Sequence, residues 1–411
     1  MHANEQRIDT HLETLKGFTA TPGEGVTRLT YSAEDLQARN YIKEKMKAYG
    51  LTVSEDHFGN IFGKLDGIVE DAPSVLIGSH FDSVPNGGAY DGTAGVVVAL
   101  EVAAMFQEQN LKPTYPLEVI AMVEEEGTRF LGGLMGSRAI MGLLSAEDFS
   151  LLTDKSGITT VEAMASIVLH PGENKQRKPD TLKAFLELHI EQGPILEEKG
   201  LSIGVVESIV GLSQLEVTVK GQAGHAGTTP MNRRADALVA AAKIIADLPE
   251  LARNESSDTV ITTGKIHVFP NGANVIPDQV VFSVDIRSSK DQQIENVTKK
   301  VKERIIKENE HGIKTDVTDL MAIPPKALDA DIRALFKRKT EALQIPYCTM
   351  HSGAGHDAMV FSDFTPSGMI FVPSKDGLSH CPEEYTATSE FVKGTNILFE
   401  AVKELTEAKE K

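Results

Sequence analysis

The strongest constraint in this chain is a set of apolar segments that alternate between strand and helix character across its first third. SVLIGSH (74–80) reads as a strand, GTAGVVVALEVAAMFQEQ (92–109) as a helix, and LEVIAMV (117–123) again as a strand. Near-continuous apolar strands separated by helices belong in a mostly parallel sheet covered on both faces, so the expected fold class is α/β. Upstream, AEDLQARNYIKEKMKAY (33–49) has helical spacing and stops at Gly50, while LTVSED and NIFGKLDG read as short strands. Ligands of such sheets sit at the carboxyl ends of the strands. His80, Glu125 and Glu126 directly follow such ends.

The pattern changes from about Ser213. A strand (LEVTVKG), a polar loop (QAGHAGTTPMN), a helix (RRADALVAAAKIIADL), two strands (TVITTGKIHVF and QVVFSVDIRS), a helix (DQQIENVTKKVKERIIKEN) and a strand (IKTDVTDL) follow in turn. This is β-α-β-β-α-β, the split βαβ plan, and it predicts a smaller ferredoxin-like α+β domain inserted into the first. The expected division is 1–212 and 328–411 as a discontinuous catalytic domain, with 213–327 as the insertion.

A length of 411 residues agrees with two domains. With 41% apolar and 24% charged residues, the chain can build a sizeable core. Its net charge of -18 disfavours nucleic acid or an anionic membrane as partner, but not a small anion held by a local cation. The two cysteines, Cys348 and Cys381, form no CxxC pair, which disfavours a disulfide framework or a zinc–thiolate site. The N-terminal stretch has no apolar core of a secretory signal, and no run reaches the ~18 apolar residues of a membrane span. These features predict a cytoplasmic enzyme.

The chemistry concentrates in His80-Phe-Asp82, Asp91-Gly92, Glu124-Glu125-Glu126, His189 and His380. A lone strand-end histidine is usually structural. Clustered carboxylates at one crevice, however, repel one another and resist desolvation unless a cation neutralises them. Imidazole and carboxylate donors without thiolate suit zinc, manganese, cobalt or nickel. Asp91, just before a helix, can turn both oxygens outward to bridge two ions. Asp82, two residues from His80, is placed to accept that ring's other N–H. Glu125 and Glu126 are adjacent and cannot point the same way in an extended segment, so one can bind metal while the other handles a proton.

The motifs GSHFDSVPNGGAYDGTAGV, EEEGTRF, LELHIEQGPILE, GQAGHAGTTPM, HSGAGHDA and GLSH resemble those of the hydantoinase/carbamoylase amidases, within the aminoacylase and dinuclear zinc-peptidase superfamily. The resemblance runs through nearly the whole chain in order and implies a zinc-exopeptidase-like catalytic domain. It implies two divalent ions, one on His80, Asp91 and His189 and the other on Asp91, Glu126 and His380, with Glu125 as general base. It also implies that His225 polarises the scissile carbonyl, that Asn274 and Arg287 hold the substrate carboxylate, that Gln192 contacts substrate, and that Gly353, Ala354 and Gly355 line the pocket. A homodimer through the inserted domain is implied as well. His356 and Asp357 read as structural, and His57, His170, His267 and His311 belong to no constellation.

The implied reaction is cleavage of the ureido C–N bond of an N-carbamoyl-L-amino acid or of allantoate, a small ureido carboxylic acid. The alternatives are an aminoacylase or dipeptidase on the same metals, or a silent relative that only binds such a ligand. HIEQG and GHAGTTPM weigh against the first, and the complete set of ligands with Glu125 against the second.

Overall fold

The computed structural model describes residues 2–130, 132–169 and 177–408. His170 lies outside the described residues. Two compact units are present: Met1–Glu207 with Ala327–Met350 and Gly355–Lys411, and Ser208–Lys326 with His351–Ala354.

In chain order the strands of the first segment are β1 (Thr52–Glu55), β2 (Ile61–Leu65), β3 (Ser74–His80), β4 (Leu117–Met122), β5 (Leu182–Ile190) and β6 (Ile203–Ile209). Those of the middle segment are β7 (Gly211–Lys220), β8 (Gly224–His225), β9 (Val260–Thr262), β10 (Ile266–Phe269), β11 (Val275–Ile276), β12 (Gln279–Ser288) and β13 (Lys314–Ile323). The last three are β14 (Lys326–Ala327), β15 (Tyr347–Ser352) and β16 (Ser367–Val372).

The first unit is built on a nine-stranded sheet in the order β1-β2-β4-β3-β5-β16-β6-β14, with β15 pairing β6. Its centre, β4-β3-β5-β16, is parallel. The flanks at β1-β2, β2-β4 and β16-β6 are antiparallel. The parallel centre follows from the apolar strands: every residue of β3, β4 and β16 is buried. Helix Thr93–Glu108 is buried along nearly its whole length because the sheet takes one side and the helices Glu5–Lys16 and Thr388–Thr406 take the other. Its one buried carboxylate, Glu101, is neutralised by Arg7, whose Nε lies 2.5 Å away, and accepts the Asn4 N–H. The helix Ala33–Ala48 starts on Ser32, whose side chain accepts the Asp35 N–H, and carries acids in its first turn and lysines in its last.

The second unit holds a sheet ordered β10-β12-β7-β13, with β9 also on β12. Strands β7 and β12 alternate buried and less buried residues, so one face is apolar (Leu215, Val217, Val219, Val280, Phe282, Val284). That face packs on the helices Ala237–Arg253 and Asp291–Ile306. The segment TVITTGKIHVF forms two strands rather than one. β9 pairs with Asp285–Arg287 and β10 with Gln279–Phe282, and Gly264 lies in the break between them. The loop QAGHAGTTPMN contributes a short strand, β8, which pairs β11. Among the described residues, no helix is long and apolar enough to cross a membrane.

Candidate metal centre

His80 ends β3, His189 is the penultimate residue of β5, and Glu125 and Glu126 follow the turn after β4. The parallel register places these strand ends side by side. Asp91 enters from the loop before helix Thr93–Glu108 and His380 from the loop after β16. One ligand atom from each of His80, Asp91 and His189 falls within a 4.8 Å cluster, and so does one from each of Asp91, Glu126 and His380.

Asp91 joins the two clusters. Its Oδ1 lies 3.1 Å from His189 Nε2 and 3.6 Å from His80 Nε2, while its Oδ2 lies 3.0 Å from His380 Nε2. His380 Nε2 is also 3.5 Å from Glu126 Oε1. The buried rings are oriented through Nδ1. His189 Nδ1 is 2.9 Å from the carbonyl of Ile190, and His80 Nδ1 is 3.2 Å from that of Asp82. Donation from Nδ1 leaves the Nε2 lone pair for a ligand.

Asp82 faces His80 Nδ1 as expected, but at long range. Its backbone carbonyl is nearer to His80 Nδ1 than its carboxylate, which lies 3.5 Å away. The carboxylate also accepts the N–H groups of Glu125 (3.1 Å) and Glu126 (3.3 Å). Asp82 therefore aims the two glutamates. Gln192 donates to Asp91 Oδ2 at 2.8 Å, and its Oε1 is buried without a partner. Glu124 closes its own loop by accepting the N–H groups of Arg129 and Phe130.

Glu124, Gln192 and His380 all adopt positive φ (51°, 59° and 58°). Left-handed backbone at three non-glycine residues of one site is strain held by surrounding structure. Gly92 is required by the same geometry: at φ 59° an added Cβ would sit 2.2 Å from the His80 ring.

Burial and neighbouring carboxylates push Glu126 up to about 7. Burial raises Glu125 as well, against the pull of His80. Burial also acts to raise Asp91, but bonds from His189, His380 and His80 outweigh it and hold that carboxyl well below the usual range. The bond to Asp91 raises His380 to about 9. This crowd of acids, with Glu126 Oε1 buried and without a hydrogen-bond partner, fits divalent cations on nitrogen and oxygen donors.

Several polar residues at the site were not among the candidates read from the sequence. Glu384 is buried and accepts the N–H groups of Tyr90 (2.9 Å) and Asp91 (3.1 Å) and the Ser379 hydroxyl (2.7 Å). It thus ties the Asp91 loop to the His380 loop. Glu187, two residues before His189 on the same strand face, accepts from Ser79 Oγ at 2.6 Å and Ala358 N at 3.1 Å. The two-residue period counted back from His189 is the signal that could have found Glu187. Asp357 and His356 are fully buried nearby, and His356 shares a donor cluster with Glu187 and His189.

The remaining expected residues fall in the second unit, except Gly355, which belongs to the first. His225 pairs Val275, next to Asn274, whose carbonyl accepts the Ala226 N–H. The His225 Nδ1 accepts the Gly227 N–H at 3.0 Å, so the neutral ring carries its proton on Nε2 as a donor. Arg287 is held by Asp285 at 2.8 Å and donates to the Gly353 carbonyl at 3.1 Å, while Ala354 N donates to Ser352 Oγ.

Residues 76–404 match the model of peptidase family M20/M25/M40. The chain is 41% identical over 406 residues to an N-carbamoyl-L-amino-acid amidohydrolase of Paenarthrobacter aurescens, covering 98% of each. It is 37% identical over 396 residues to an allantoate amidohydrolase of Escherichia coli (strain K12), covering 96% of each. A solved hydantoinase/carbamoylase-family amidase from Burkholderia multivorans superposes with a TM-score of 0.92 at 33% identity, covering 98% of each chain. The fold and these relatives define a hydrolase of a metal-dependent family. The chain belongs to peptidase family M20/M25/M40, with the hydantoinase/carbamoylase amidases among its relatives.

Proposed function

We propose that this protein hydrolyses the ureido C–N bond of a small carboxylic acid, either an N-carbamoyl-L-amino acid or allantoate, with release of ammonia and carbon dioxide. The observation that carries this reading is Asp91, each of whose oxygens faces a different set of histidines. Two divalent ions, zinc or manganese by donor type, would be held by His80, Asp91 and His189 and by Asp91, Glu126 and His380. When bound they would supply Lewis acidity and lower the pKa of water.

The chain's own groups do the rest. Glu125, aimed by Asp82, takes a proton from the attacking water and returns it to the leaving nitrogen. His225 donates its Nε2 proton to the ureido oxygen as charge builds there. Arg287 and Asn274 bind the substrate carboxylate, for which a planar guanidinium offers two parallel donors. Gln192 and the Gly353–Gly355 backbone complete the contacts. The same reading proposes a cytoplasmic enzyme that forms a homodimer through the inserted domain.

The test is ammonia release by manganese- or zinc-loaded protein. The panel is allantoate, several N-carbamoyl-L-amino acids, N-carbamoyl-β-alanine and N-acetyl-L-amino acids, with amino-acid product followed in parallel. Ammonia from allantoate alone selects a purine-breakdown substrate, and ammonia from several carbamoyl amino acids selects a carbamoylase. Amino acid from the acetyl series without ammonia would overturn the reading in favour of an aminoacylase.

A further inference from the structure

The segment 26–30 lies along the loop that leaves β3. Val26 and Gly87 exchange backbone hydrogen bonds (2.9 and 2.8 Å), Ser83 N donates to the Arg28 carbonyl, and Arg28 N donates to Ser83 Oγ. The Arg28 side chain turns inward and is 1% exposed. Its Nε donates to the Phe81 carbonyl at 2.6 Å, and its Nη2 to Thr93 Oγ1 at 2.8 Å. Its Nη1 donates to the carbonyls of Leu15 (2.7 Å) and Phe18 (3.2 Å), at the end of helix Glu5–Lys16.

These partners are neutral oxygens. Burial lowers Arg28 to about 10, so it remains a cation at neutral pH, with Asp35 and Asp82 helping through their fields. A buried guanidinium without a bonded carboxylate is costly, and an apolar side chain of similar volume would avoid that cost. What such a side chain could not do is hold three chain segments from one rigid plane. Two of those segments carry ligands: Phe81 follows His80, and Thr93 lies two residues after Asp91.

We infer that Arg28 is a positioning residue for the His80–Asp91–His189 site. It fixes the main chain beside His80 and the first helical turn after Asp91, and so sets the gap between these two ligands. The inference rests on the metal reading proposed above.

The test is calorimetric titration of metal-stripped, full-length protein with Mn2+, with kcat and KM of the loaded protein in parallel. In wild type, two ions bind. In Arg28→Met and Arg28→Lys, one ion binds ~10- to 100-fold more weakly, the magnitude usual for groups that orient ligands, while the other, which shares only Asp91 with that site, weakens less. The loss in activity falls on kcat rather than KM. Thr93→Val removes only the Nη2 acceptor and gives a smaller loss at the same ion, so it decides the matter if Arg28→Met does not fold. Leu335→Ala, a core cavity on helix Ala330–Ala342, lowers stability without changing either affinity.

Wild-type affinities for both ions in the Arg28 and Thr93 variants would overturn the inference. So would equal weakening in Leu335→Ala. Wild-type protein that binds no divalent ion would instead remove the metal reading itself, and the inference with it.

Discussion

Gly92→Ala probes the ligand geometry with a single methyl group. At this position φ is 59° and the new Cβ would meet the His80 ring at 2.2 Å. Carbon atoms rest at about 3.5–4.0 Å, so the ring must retreat by roughly 1 Å or more. Metal–ligand distances tolerate only about 0.2 Å. The variant also pays for alanine at positive φ, at least about 1 kcal/mol as in the αL basin, since the ψ of -52° lies outside that basin. Gly200→Ala shows the cost of alanine in the αL basin alone, because Gly200 has φ 62° and ψ 34° and nothing within 4 Å of its added Cβ. In urea unfolding of the metal-free protein Gly200→Ala should lose about 1 kcal/mol, and Gly92→Ala more, because it also displaces the buried His80 ring. Only Gly92→Ala should lose metal from the His80 site, read by elemental analysis after dialysis. Turnover should fall on the order of 100-fold, the cost of an ångström's misplacement in a reacting geometry. A Gly92→Ala protein with full metal content and near-normal turnover would refute the argument that His80 must occupy that space to bind an ion.

Three further outcomes are expected. Glu125→Gln should lose about 10²- to 10⁴-fold in kcat with metal content unchanged, and lost metal would contradict its role as proton carrier. Arg287→Ala should mainly raise KM for a carboxylate substrate, and an unchanged KM would remove it from the carboxylate site. His11 is buried between the hydroxyls of Tyr41 (2.6 Å) and Tyr49 (2.7 Å), and burial, then Lys45 and Arg7, lower it from 6.5 to about 4. Its folded value is depressed, so the unfolded chain protonates first. The stability it contributes is complete above pH 6.5 and falls as pH drops from 6.5 toward 4. The loss amounts to about 2–3 kcal/mol, and His11→Gln should flatten that part of the urea-stability profile.

Much of the site was legible because its ligands follow recognisable punctuation. His80 and the Glu125-Glu126 pair end apolar strands, Asp91 precedes a helix, and two-residue periodicity exposes both Glu187 and the apolar face of β7. The β-α-β-β-α-β order, with both helices on one sheet face, follows from the same local periods. These features depend on neighbours a few residues apart, which a sequence displays directly, although Glu187 was not read from it. What Asp82, Gln192, Arg28 and Glu384 touch was decided only when the chain closed. Arg28 bonds to residues 53 and 65 positions away, and Glu384 to a residue 294 positions away. Such partners share no period and no local pattern. They are chosen by which buried donors and acceptors remain unsatisfied once the strands are in register, a condition that exists only in the folded molecule.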